Sequence, residues 1–149
     1  PNGISATVYL ITEKYKQTPE GGAAGLDVEK IWDGTGVCKE PVIAKVPGSS
    51  TYLAKCNRDN FWHILFDRRP GGNSRPNNLY DAVLAECTHT SIGFGPHKGA
   101  ELESCTRRIT YKNFRIDYDF QIENARLIPQ MDAFQRSKID SWKRNCGRE

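Results

Sequence analysis

The sequence predicts an α+β fold: one domain over residues 1–149, with about four antiparallel strands, flanking helices and long loops, stabilised by disulfides. Three observations carry this expectation. Phe114, Ile116, Tyr118, Phe120 and Ile122 alternate strictly with Arg115, Asp117, Asp119, Gln121 and Glu123. A period of two buries one face and solvates the other, the habit of an antiparallel strand. Among the cysteines, Cys38 and Cys56 are separated by the same spacing as Cys87 and Cys105, and no CxxC occurs. That pattern suits disulfides better than a thiolate redox motif. Finally, 149 residues suffice for one continuous core, so that crosslinks reinforce a fold instead of creating it.

The elements follow in chain order. Ser5 to Ile11 holds Thr7, Val8, Tyr9 and Ile11, the β-branched and aromatic residues of a strand. Lys16 to Gly25, with Pro19, Gly21 and Gly22, is a loop. Leu26 to Trp32 is a short helix, with Asp27 near its start and Gly34 and Gly36 beyond its end. Val42 to Val46 and Thr51 to Lys55 read as a hairpin about Pro47 and Gly48. Asn60 to Phe66 is apolar enough for a well-buried strand. The run RRPGGNSRP from Arg68 to Pro76 disfavours regular structure.

Asn77 and Asn78 can cap a helix over Leu79 to Cys87, where Leu79, Val83 and Cys87 share a face. Gly93 to Gly99 is a glycine-rich loop, and Arg107 to Tyr111 precedes or pairs with the Phe114 strand. Residues 130–149 are a C-terminal helix, spacing Phe134, Ile139 and Trp142 with Lys138, Lys143 and Arg144 toward its end, or else a partly mobile tail. Trp32, Trp62 and Trp142 read as core, and His63 as a partly buried core histidine.

Charge and motifs exclude several classes. A net charge of +3 is small for a dedicated nucleic-acid binder, and no apolar run is long enough to span a bilayer. There is no GxSxG, HExxH or P-loop. The densest polar cluster runs through Cys87, Thr88, His89, His97, Glu101, Glu103, Cys105, Arg107 and Arg108. Thiolate and imidazole are zinc's preferred ligands, but only one tight ligand pair occurs here, so a disulfide across the glycine loop is the better reading and no metal is assigned. The same cluster holds a candidate metal-independent ribonuclease trio. Glu101 would be the base, His97 or His89 the acid, and Arg107 the cation that stabilises the phosphorane. Arg68, Arg69, Arg75, Arg107 and Arg108 are candidate contacts to an acidic partner.

Size, cysteine content and strand order together resemble the secreted effectors of plant-pathogenic fungi. The closest resemblance is to the Leptosphaeria avirulence and suppressing (LARS) structural family, including the extracellular effectors of the tomato leaf mould fungus. Phe114, Arg115 and Ile116 stand in the manner of that family's aromatic–arginine–apolar strand motif, with Phe in place of Trp. The resemblance implies a four-stranded antiparallel sheet held by disulfides, no cofactor and no reaction. It also implies a host plant protein or immune receptor as partner, a monomer, and an apoplastic location with entry into host cells left open. Ribonuclease-like fungal effectors are a second resemblance, but they carry a Tyr-x-Cys near the N-terminus, whereas no cysteine precedes Cys38 here.

Cys146 is the odd member of the five, able to pair internally or remain free, and connectivity stays open at this level. A mass-spectrometric thiol count on untreated protein should find four oxidised cysteines and one free. Five free thiols would reverse the assignment to an oxidising compartment.

Overall fold

The computed structural model describes residues 6–10, 28–56, 62–91 and 93–146. Its centre is a seven-stranded antiparallel sheet, not a four-stranded one. The strands are β1 (Ala6–Leu10), β2 (Val42–Lys45), β3 (Tyr52–Lys55), β4 (Trp62–Phe66), β5 (Val83–Ser91), β6 (Glu101–Tyr111) and β7 (Phe114–Gln121). Six of them form a meander from β2 to β7, and β1 closes the far edge against β7, giving the order β1-β7-β6-β5-β4-β3-β2. Among the described residues two α-helices accompany the sheet, α1 (Val28–Asp33) and α2 (Ile128–Cys146). No helix among the described residues is long and apolar enough to cross a membrane.

Short-range chemistry explains most of these elements. The β2–β3 turn places Gly48 at φ +72°, a conformation that glycine adopts without strain, and Ser49 and Thr51 bond to each other across it. The alternating run becomes β7, whose Ile116, Tyr118 and Phe120 are buried. It pairs with β6 from Tyr111↔Phe114 to Ser104↔Gln121 through a two-residue turn that holds Lys112 at φ +55°. Lys112 in turn binds Asp140 of α2, which also accepts a hydrogen bond from the Tyr111 hydroxyl at 3.0 Å.

The segment Leu79 to Cys87 departs from expectation. Asn78 does cap, its side-chain oxygen accepting from the Tyr80 amide at 3.2 Å, but it starts only a 3-10 turn over Leu79–Ala82. From Val83 the chain is extended as β5 and pairs with β4 and β6 at once. Two neighbouring strands with open backbone groups outweigh a modest helical pattern, because each unpaired buried N–H or C=O is costly. Residues 16–25 of the first predicted loop lie outside the described residues.

The two helices cover opposite faces of the sheet. Ile64 and Leu65 are successive residues of β4 and so point opposite ways. Ile64 joins Val28, Ile31 and Trp32 of α1 in a core with Ala54, Cys38 and Phe66, where Trp32 meets Phe66 edge to face at 5.3 Å. Leu65 joins Ile128 and Met131 of α2 with Ala85, Tyr118 and Phe120. Further along α2, Ile139 packs on Ile109 and Ile116. Residues 130–146 therefore belong to a helix docked on the sheet, and 147–149 lie outside the described residues. It begins at Ile128 with Pro129 in its first turn, where a missing N–H costs nothing. Trp32 is core as expected; Trp142 is 48% exposed and is not. The side chain of Trp62 lies outside what the structure describes.

A buried ion pair fixes α2 to the sheet. The Arg107 guanidinium donates to both carboxylate oxygens of Asp132, at 2.9 and 2.8 Å, and to the Leu84 carbonyl at 2.8 Å. The Tyr118 hydroxyl donates to the same carboxylate at 2.7 Å. Burial works against the charge of Arg107, but Asp132 outweighs it and holds the guanidinium above its ordinary pKa. Burial and the same carboxylate keep Tyr118 protonated well above the usual phenol range. In Asp132→Ala, Arg107 would be left buried without its counter-charge, and denaturant unfolding should show a loss of about 3 to 5 kcal/mol. Tyr118→Phe removes one hydrogen bond to a charged group, and the loss should be about 1.5 to 3 kcal/mol.

Candidate functional site

Cys87, His89, Glu101, Glu103 and Cys105 of the polar cluster assemble on the β5–β6 hairpin, on the face that α2 covers, whereas Thr88 and Arg108 alternate to the other face. The register places three same-face pairs in succession: Cys87↔Cys105, His89↔Glu103 and Ser91↔Glu101. The first is a disulfide, and Cys38–Cys56 is the other. The second places His89 Nδ1 at 3.2 Å from Glu103 Oε2. In the third, the Ser91 hydroxyl donates to Glu101 Oε1 at 2.8 Å. The pairs are cross-linked along the hairpin, because His89 Nε2 contacts Glu101 Oε2. The Ser91 hydroxyl, and then His89, hold the Glu101 carboxyl below the ordinary carboxylate range.

A fourth residue enters from β4. His63 stands opposite Cys87, with Nδ1 at 2.5 Å from Glu103 Oε1, so Glu103 faces an imidazole on each side. His63 is buried, as expected for a core histidine, and its Nε2 has no hydrogen-bond partner among the described residues. The two imidazole rings lie 6.2 Å apart. Lys55 of β3 is directly across from His63.

Past the ladder, the chain turns through residues 93–100, all of them exposed. Phe94 is 84% exposed at this turn, beside His97 and Lys98. Amide-to-carbonyl bonds from Lys98 to Gly95 and from Ala100 to His97, at 3.1 and 3.0 Å, shape it. The residues beneath are stapled by a disulfide and joined by side-chain hydrogen bonds, so the turn sits on a braced stem.

Of the ribonuclease trio, the structure brings Glu101 and His89 together but not Arg107. Arg107 lies six positions beyond Glu101 on β6, about 20 Å at the rise of an extended strand, and is occupied by Asp132. Glu101 is engaged by Ser91 and His89, and His97 is on the exposed turn. A nucleophilic triad is not built either, since Ser91 donates to a carboxylate and not to an imidazole. Cys87 and Cys105 are consumed by their disulfide, so a zinc site using both thiolates has lost them. No group of three or more histidine, cysteine or acidic residues is arranged to hold a metal ion among the described residues.

Four of the candidate recognition arginines have internal partners. Arg68 binds Asp67 at 2.7 Å, Arg75 binds Asp33 at 2.6 Å, Arg107 binds Asp132, and Arg108 binds Asp117 at 3.1 Å. Burial opposes ionisation of Asp117, but Arg115 and Arg108 outweigh it and lower its pKa. Arg69 is exposed and forms no ion pair among the described residues. The helix bearing Cys146 ends at that residue, and its side chain lies outside what the structure describes.

No family model, curated protein or solved structure matches this chain.

Removing the staple gives a direct measure of the brace. The double variant Cys87→Ser, Cys105→Ser should lose about 3 kcal/mol in denaturant unfolding, as expected for releasing a loop of this length. Amide exchange should quicken first in β5 and β6, because both strands are then held only by backbone pairing and the ladder.

Proposed function

We propose that this chain is a secreted fungal effector that binds a host plant protein or immune receptor without a reaction of its own, through the β5–β6 turn. The observation supporting the contact surface is Phe94, 84% exposed on a turn whose stem is held by the Cys87–Cys105 disulfide. Keeping an aromatic ring in water is unfavourable, and a braced turn loses little entropy on docking, so both terms favour a partner that covers the ring. Aromatic residues are enriched at interface centres for the same reason. His97 and Lys98 beside it supply a polar rim. Paired cysteines favour an oxidising compartment. The fungal and plant assignment rests on the resemblance in size, cysteine content and strand motif.

Leaves of several host genotypes exposed to the protein should show a changed immune response, either cell death or a dampened oxidative burst, in at least one. Phe94→Ser should abolish that response while shifting stability by no more than about 0.5 kcal/mol, since the ring packs on little. Absence of a response in every genotype would overturn the effector reading. RNA incubated with the purified protein should stay intact, and cleavage lost in His97→Ala would restore the ribonuclease alternative.

A further inference from the structure

We propose that His89 is a proton-operated lock on the β5–β6 hairpin, closed while its ring is an imidazolium between ionised Glu101 and Glu103, and open when the ring is neutral. The reason lies in donor counting. Both ring nitrogens face carboxylate oxygens, Nδ1 toward Glu103 and Nε2 toward Glu101. An imidazolium has two N–H donors and satisfies both; a neutral imidazole has one. With the remaining proton on Nδ1, the Nε2 lone pair opposes Glu101. With it on Nε2, the Nδ1 lone pair opposes Glu103. Either tautomer replaces a cross-strand attraction with acceptor against acceptor.

The neighbouring groups leave this role to His89. His63 is buried, with Nδ1 on Glu103 and Nε2 without a hydrogen-bond partner among the described residues, so its ring bridges no second carboxylate. His89, by contrast, is 38% exposed in its side chain and can exchange its proton with water. Among the described residues, the charged or titratable groups facing it are Glu101 and Glu103 from β6 and His63 from β4, with Lys55 of β3 beyond, opposite His63. The adjoining Cys87–Cys105 disulfide carries no charge.

The sign of the effect follows. The proton on His89 favours the closed hairpin, so stability from the lock is present while the ring is protonated and is lost as rising pH removes that proton. At the acid end the lock fails when the carboxylates protonate, and Glu101, held below its ordinary 4.5, delays that loss. The lock is a property of the hairpin by itself; its bearing on function, setting the stiffness of the turn that carries Phe94, rests on the binding reading above.

Amide exchange followed by NMR, expressed as protection factors at about pH 5.5 and about pH 8, tests it. Amides of residues 88–91 and 101–104 should lose about fivefold protection at the higher pH, the scale of one partly exposed ion pair, while β7 changes little. Glu101→Gln, at an exposed position, supplies an amide donor to neutral His89 and should flatten the difference without risk to folding. His89→Gln should flatten it as well, and His97→Gln should leave it intact. The lock is overturned if wild-type protection does not vary between the two pH values, if Glu101→Gln and His89→Gln retain the fivefold change, or if His63→Gln alone removes it. A negative leaf assay with these exchange results intact would reject the binding reading and leave the lock standing.

Discussion

The contact on which the rest of the structure depends is the carboxylate of Asp132, held by Arg107 from β6 and Tyr118 from β7. Arg107 and Tyr118 are directly opposite each other in the register, so the two strands offer their donors to one point above the sheet. A guanidinium on the buried face of an inner strand is tolerable only with a counter-charge in place, and α2 brings it. The ion pair thus fixes where the helix sits along the strands. Ile128 and Met131 fall over the β5–β7 core, and Ile139 reaches the second cluster at Ile109 and Ile116.

That placement divides one face of the hairpin in two. From Cys105 toward Tyr111 the face is covered by α2 and is apolar apart from the ion pair and Tyr111, whose hydroxyl reaches Asp140. From Glu103 toward Glu101 the chain runs past the start of the helix, and side chains change to histidines, glutamates and a serine. A covalent crosslink stands at the boundary, with polar cross-links beyond it. Stiffness therefore extends out to a turn with little core beneath it, and the exposed Phe94 is presented on a stem instead of a slack loop.

Much of the local structure was legible in the chain. The period-two run from Phe114 specified β7 and its buried face, the proline–glycine turn specified the β2–β3 hairpin, and the equal cysteine spacings matched the pairs that form. His89, Glu101 and Glu103 were visible as a dense polar group. His63 was not, because it joins from a different strand and a neighbouring run of apolar residues disguises it. Alternation within Trp62–Phe66 puts His63 on the same face as Leu65, and reading residues 83–91 as a strand would have set it opposite Cys87.

The sequence by itself determined that the Phe114 run and the segments flanking Pro47 and Gly48 are extended, and which side chains of the Phe114 run are buried. Periodicity and turn chemistry are local, so they survive without knowledge of neighbours. Only the tertiary structure decided that residues 83–91 form a strand, that Arg107 belongs to Asp132 instead of a reactive centre, and that His89 lies between two carboxylates. Each of these is settled by long-range pairing: an unpaired strand edge claims the segment beside it, a buried charge claims the nearest counter-charge, and cross-strand register sets which acids a histidine meets.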